Sequence, residues 1–389
     1  FFDAEGWISP KYLSELGPLF AAILRAGRLI KLSNHPVPDN VHERFEWIGR
    51  QFLRLLDAQG QLSLSNCHIP DPKWLLELVG QLTKDSEDSA IVKFMLQNSA
   101  KEKSSKRLPD ASDFSESAQI GMLRSTWRRK SPRLGVAIID NEFFVEIGSG
   151  CSLIKGFATP QIALNKTRFE LGDEPLTLNC WESNDDVSLI ELQRQLPANA
   201  TWQRQMIVSR RDELVLIFDT FLFSSAAESI EYRCDWPLAE LSTSLGETET
   251  REAYLQRAEK IVSLALPITL GEWRADRSGH EFTANERALT FVQTGRGRAL
   301  FAGIVFDTNP KRSKRPRTWR KLTVAENLQI VADDIAVARR FQIDDEQWVV
   351  YRNLSHVGNR SFIGQNVFCD FCFERIRKNG SMKMLVEIE

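Results

Sequence analysis

The stretch Ile230-Glu231-Tyr232-Arg233-Cys234-Asp235-Trp236 decides the fold class. Apolar and charged residues alternate along it without a break, which is the period of a strand with one buried face. The same period recurs on both sides. Leu134 to Ile139 and Phe143 to Ile147 flank Asp140-Asn141-Glu142 and read as a hairpin. Val187 to Leu192, Trp202 to Val208 and Leu214 to Asp219 are strands set apart by Pro197-Ala198-Asn199 and Arg211-Asp212. Ala288 to Val292 and Leu300 to Phe306 flank Gly295-Arg296-Gly297-Arg298, read as a turn. Leu328 to Ile335, Trp348 to Arg352, Ser361 to Arg375 and Lys383 to Ile388 complete the series. So many short strands with few helices between them predict a large antiparallel β-sandwich over residues 118–389.

Upstream the period lengthens to that of a helix. Ser9-Pro10 opens a run carrying Leu13, Leu16, Leu19, Phe20, Ile23 and Leu24, with a stop expected at Gly27. Asn40 and Glu43 resemble a capping box ahead of Val41, Phe45, Ile48, Phe52, Leu55 and Leu56, ending near Gly60. Asp71-Pro72 starts a third helix through Trp74, Leu75, Leu78, Val79 and Leu82, and a fourth runs from Ser86 to about Gln97. These make two αα-hairpins within residues 1–100. The polar residues 101–117, with Lys101-Glu102-Lys103-Ser104-Ser105-Lys106-Arg107 and Pro109, are the predicted linker. The fold class expected is therefore α+β multidomain: α-helical hairpins, then a large antiparallel β-sandwich.

Composition narrows the function less than the fold. The 389 residues carry 50 basic and 52 acidic side chains, so no global field draws in nucleic acid or an anionic membrane. No run reaches the roughly 18–20 apolar residues of a membrane span. Ten Trp against four Tyr serve either as core or as stacking platforms for sugars. The six cysteines are too sparse for a disulfide framework. Cys369 and Cys372, on the predicted strand Val367 to Phe373, should face opposite sides as buried free thiols. Phe1-Phe2-Asp3-Ala4-Glu5-Gly6-Trp7 reads as the middle of a fold, so the chain is expected to begin inside a longer protein.

No compact catalytic motif is present. The five histidines are His35, His42, His68, His280 and His356, without zinc or Ser/His spacing, and no metal or cofactor is expected. His35 and His68 lie beside loop prolines, and His356 stands near Tyr351 and Arg352. Gly148-Ser149-Gly150-Cys151 is not a nucleophile elbow. The doublets Asp185-Asp186, Asp333-Asp334 and Asp344-Asp345 suit turns as well as metal ligands or paired acids. The segment Lys311 to Lys321 holds basic residues and no acid, and is either a solvated loop or a carboxylate- and sulfate-binding patch with Trp319 stacking on a sugar.

From about Phe114 onward the chain resembles the C-terminal half of heparinase II/III-like proteins, a polysaccharide-lyase superfamily. The resemblance rests on the order of Met122-Leu123-Arg124-Ser125-Thr126-Trp127, Cys180-Trp181-Glu182-Ser183-Asn184-Asp185-Asp186-Val187, Trp202-Gln203-Arg204-Gln205, Leu214 to Asp219, and Thr318-Trp319-Arg320-Lys321-Leu322-Thr323-Val324-Ala325-Glu326. It implies a partial α/α toroid followed by a super-sandwich, an acidic polysaccharide as partner, and a periplasmic or extracellular location. It also implies β-elimination, with a group neutralising the uronate carboxylate and a Tyr or His as base or acid. Carried onto this chain, the candidates are Tyr12 and His356 for catalysis, with Arg124, Trp127, Trp319, Arg320 and Tyr351 for substrate binding. The family's His-containing strand has no counterpart, since 135–139 and 143–147 lack His. A non-catalytic scaffold and a hydrolase using two acids are therefore alternatives.

Overall fold

The computed structural model describes residues 1–33, 38–57, 61–67, 69, 72–83, 85–96, 108–128, 130–275 and 279–389. His35, Gly60, His68, Asp71, Gln97 and residues 101–107 of the predicted linker lie outside them. Among the described residues four α-helices precede a succession of antiparallel sheets, so the molecule is mostly β with a helical N-terminal part. The chain divides into two units, Phe1–Lys155 and Gly156–Glu389.

In the first unit a 3₁₀ turn, Pro10–Glu15, leads into α1 (Leu16–Ser33), followed by α2 (Asp39–Leu55), α3 (Pro72–Leu82) and α4 (Ser86–Leu96). The stop expected at Gly27 does not occur, because α1 continues to Ser33. A single glycine costs about 1 kcal/mol in a helix interior and does not by itself end one; the turns beyond Gly27 are exposed. Neither Ser9 nor Asn40 caps as expected. Ser9 makes no side-chain cap bond, and Asn40 lies inside α2, whose N-cap is Pro38. The inward stripes of the helices pack on the strands Ile120–Arg124 and Pro132–Ile139 through Phe20, Phe52, Leu76, Ile91, Met122 and Trp127. The hairpin expected at Asp140-Asn141 is present between Pro132–Ile139 and Glu142–Ser149. Both turn residues take positive φ (49° and 65°), the mirror-image turn that suits strand twist.

In the second unit an eleven-stranded sheet faces a five-stranded one. The large sheet is built around the neighbours Ala200–Ser209, Leu214–Pro237 and Ala288–Asp307. The five-stranded sheet runs in the order Arg317–Leu322, Ala336–Ile343, Glu346–Asn353, Phe371–Ile376, Met382–Ile388. Val187, Leu216, Phe218, Phe301 and Val305 from one sheet meet Trp319, Phe341, Trp348, Val350 and Phe371 from the other, which is the core of a sandwich. The outer face of the five-stranded sheet buries Ala338, Val349, Tyr351 and Cys372 under a small sheet of short strands.

Four expectations from the sequence differ in this unit. Gly295 to Arg298 is not a turn but an irregularity inside the single twenty-residue strand Ala288–Asp307. Leu328 to Ile335 is not one strand, because only Gln329–Ile330 pairs before a turn leads into Ala336–Ile343. Ser361 to Arg375 is three short strands, Arg360–Phe362, Gln365–Val367 and Phe371–Ile376. The bend between the last two lets Cys369 hydrogen-bond Cys372, so the thiols meet instead of facing apart.

Candidate functional site

In the first unit, two of the sequence candidates are committed to packing. The Arg124 guanidinium is fully buried at the C-terminus of α2 and donates to the carbonyls of Leu53 (3.3 Å), Arg54 (2.8 Å) and Leu56 (3.2 Å). Those carbonyls have lost their helical partners, and a cation there also meets the negative end of the helix dipole. Trp127 is buried, donates from Nε1 to the Pro109 carbonyl at 2.7 Å, and has the Arg54 guanidinium over its ring. Tyr12 is half-buried against Phe1, ring centroids 4.5 Å apart, with Lys11 Nζ 4.9 Å from its ring centre.

In the second unit, Trp319 is also buried. It belongs to the sandwich core and donates to the Leu270 carbonyl at 3.0 Å, which leaves no ring face for a sugar. Tyr351 is buried on the opposite face, stacked on Phe362 at 5.4 Å, with burial raising its phenol pKa. His356 is exposed, its Nε2 3.7 Å from Glu326. The buried Arg360 brings these last two together. It donates to the Tyr351 hydroxyl at 3.3 Å and to the His356 carbonyl at 2.8 Å, and also bonds Asn353. The His356 imidazole points elsewhere, to Glu326.

The basic segment 311–321 resolves residue by residue. Arg312 is buried and bidentate on Asp307 (3.0 and 2.7 Å), with Glu346 at 2.6 Å. Burial lowers its pKa, but the two carboxylates outweigh that and hold it above the ordinary value. Arg317 pairs with Glu252 at 3.1 Å, Arg315 with Asp344 at 3.7 Å, and Lys321 with Asp333. Lys311, Lys314 and Arg320 have no such pair among the described residues, and of these Arg320 lies on a strand. The Arg320 side chain is exposed.

Its register partner on the next strand is Arg340, so two guanidinium groups stand side by side on the outer face. Arg340 Nη2 donates to Gln347 at 2.6 Å, which fixes its direction without neutralising it. Burial and then the Arg320 charge lower the Arg340 pKa. Adjacent like charges destabilise a sheet unless an anion bridges them. Arg340 was not singled out from the sequence, although the Arg339-Arg340 doublet inside an apolar strand was a visible signal. Trp273 was also missed. It is more than half exposed, next to Glu272, whose carboxylate accepts from Thr318 at 2.6 Å on the strand that carries Arg320.

Among the described residues no group of three or more His, Cys, Asp or Glu is arranged to hold a metal, and no helix is long and apolar enough to cross a membrane.

Comparison with solved structures gives the fold its relatives. The heparan sulfate lyase HepC from Pedobacter heparinus superposes with a TM-score of 0.61 at 13% identity, covering 91% of this chain and 60% of that one. In fold, this chain is similar to the heparinase lyases. A heparinase III gene product superposes with a TM-score of 0.59 at 9% identity, again over 91% of this chain and 59% of that one. The chain thus spans about 60% of the length of these lyases. No protein-family model matches the sequence, and no curated protein does.

Proposed function

We propose that the second unit binds an acidic polysaccharide through Arg320 and Arg340. The observation that carries this reading is the exposed Arg320 beside Arg340, a cation pair that no carboxylate among the described residues neutralises. Carboxylates and sulfates accept two parallel bonds from a guanidinium, and one oxyanion between two guanidinium groups removes their repulsion. Trp273 offers an apolar face for a sugar ring. The lyase fold supports a polymer as the ligand, and a basic patch supports an acidic one.

Binding without cleavage is the better supported form. β-Elimination needs a phenol or imidazole facing the sugar, and of the candidates Tyr351 is covered by Phe362, His356 faces Glu326, and Tyr12 belongs to the first unit, packed against Phe1. The test is affinity electrophoresis through gels containing heparan sulfate or a polyuronate, with absorbance of the unsaturated sugar followed in parallel. Retardation in the acidic gel, lost when Arg320→Gln and Arg340→Gln are combined, is the expected result. Equal mobility with and without polymer overturns the binding reading, and growth of the unsaturated product overturns the preference for binding without cleavage.

A further inference from the structure

On the inner face of the strand Ala336–Ile343, one residue is out of keeping with its neighbours. Val337, Phe341 and Ile343 belong to the apolar core between the sheets, and strand alternation puts Arg339 among them. Its Nε is buried with no hydrogen-bond partner. Among the described residues nothing hydrogen-bonds or ion-pairs with the guanidinium. Burial pushes its pKa down to about 10, with Asp333 the one charge opposing that.

Nor do the surrounding groups offer relief. Lys321 is the cross-strand partner of Arg339, so a second cation stands next to it. Asp333 is paired with Lys321, and Asp334 accepts from the Arg298 backbone N–H at 3.1 Å. Arg339 as a whole is half-buried, and its Nε is the part that neither solvent nor a protein acceptor reaches, which is an uncommon state for a guanidinium nitrogen.

Arg339 opens onto a cleft of about 430 Å³ at the end of the sandwich core. Phe301, Leu300 and Val337 supply apolar lining. The Gln293 amide is already spent, accepting from Thr269 Oγ1 at 2.7 Å and donating to the Phe301 carbonyl at 2.8 Å. Arg296, Lys321, Asp333 and Asp334 line the cleft too, and with both carboxylates already engaged as above, this concave, partly apolar space with cationic groups has the make-up of a small-ligand pocket.

The geometry points to an oxyanion site in this cleft, in which Arg339 takes a carboxylate or sulfate carried on a group about the size of one sugar ring. The forked N–H groups of Arg339 meet two oxygens of the anion, while Lys321 beside it is already paired with Asp333. The site lies on the opposite face of the sheet from Arg320 and Arg340, and it stands or falls without them. The polysaccharide reading bears only on what carries the anion.

The test is isothermal titration of the whole chain with sodium glucuronate, sodium sulfate and glucose, using wild type, Arg339→Met and, as a surface control, Arg168→Gln. Wild type and the control should bind glucuronate or sulfate but not glucose, and Arg339→Met should lose at least tenfold in affinity. Its melting temperature should hold or rise, since an unpaired charge gives way to an apolar chain, so lost binding is not mistaken for unfolding. Binding of sulfate as well as glucuronate assigns the site to oxyanions generally, and binding of glucuronate alone assigns it to carboxylates. Absence of binding to both anions, or affinity unchanged in Arg339→Met, overturns the proposal. Loss of gel retardation in the Arg320/Arg340 variant with glucuronate binding intact would separate the two sites.

Discussion

Arg204 and Asp219 form a fully buried two-point ion pair, Nε to Oδ1 and Nη2 to Oδ2, both at 2.7 Å. Asp219 also accepts from Trp202 Nε1 at 2.8 Å and from the Tyr232 hydroxyl at 2.7 Å. Burial alone would lower the Arg204 pKa, but the carboxylate more than reverses it, while burial and the Asp219 charge raise that of Tyr232. Removing one partner of such a pair leaves a charge buried and unmatched, at a cost of about 3–5 kcal/mol. Asp219→Asn should therefore lower the melting temperature by roughly 10 °C, taking about 2–4 °C per kcal/mol for a unit of this size. A shift below about 2 °C in a calorimetric scan would show that the cluster is not holding the sheet.

Glu374 carries a pH dependence of stability. It is buried on the outer face of the five-stranded sheet, and burial, then the Glu387 charge, raises its pKa from the ordinary 4.5 to about 6. A carboxyl with a raised folded pKa binds its proton more tightly in the folded state. Its contribution is therefore fully present below about pH 4.5 and is lost as pH rises through 6. The span corresponds to about 2 kcal/mol. Glu374→Gln should be near neutral at pH 4.5 and stabilising at pH 8, as read from urea midpoints. A variant with the same midpoint difference at both pH values would contradict the shift.

The sequence made the fold class legible because period-2 alternation reports burial directly. Ile230 to Trp236 and Trp348 to Arg352 lie within observed strands, and the hairpin at Asp140-Asn141 formed where it was expected. What failed was punctuation. Gly27 did not stop a helix, since one glycine costs only about 1 kcal/mol there, and Gly295 to Arg298 did not turn the chain, because cross-strand pairing with Ala227 and Ile230 holds it extended. The candidate site was less legible. Arg124, Trp127, Trp319 and Tyr351 were singled out by residue type, but each is buried, which a one-dimensional pattern does not separate from a binding role. Arg320 was found because it sits in a basic run. Arg340 was not, since its importance comes from cross-strand register.

The cysteines give a chemical readout of the corrected strand break. Cys372 is buried, and its hydrogen bond with Cys369, followed by burial, raises its pKa well above the ordinary thiol value. Thiolate is the reactive form, so Cys372 should be inert in the folded protein, and Cys369 is shielded by burial. Cys151 and Cys234 are buried as well, and burial, the largest effect, pushes the Cys234 thiol up to about 12. Titration with an aromatic disulfide reagent should therefore reach at most Cys67 and Cys180 in the native state, with the other four reacting after unfolding. Fast native modification of Cys369 or Cys372 would show that the bend opens.

Gly297 explains why the glycine run lies inside a strand. Its φ is +97°, and a Cβ there would sit 2.0 Å from Asp334 Oδ2, the same oxygen that accepts from the Arg298 N–H. Gly297→Ala thus meets two obstacles, a left-handed backbone that L-residues resist and a carboxylate in the way. Backbone strain of this kind costs about 1–3 kcal/mol, and displacing Asp334 adds the loss of its backbone hydrogen bond. A double-mutant cycle separates the two. In an Asp334→Ala background the carboxylate contacts at 2.0 and 2.6 Å disappear, while a tight contact with the Cβ at 3.0 Å and the φ strain stay, so Gly297→Ala should cost measurably less there than in wild type, with a coupling of about 0.5–3 kcal/mol. Additive costs would place the whole penalty in the backbone, and Asp334 would then have no part in shaping the irregularity.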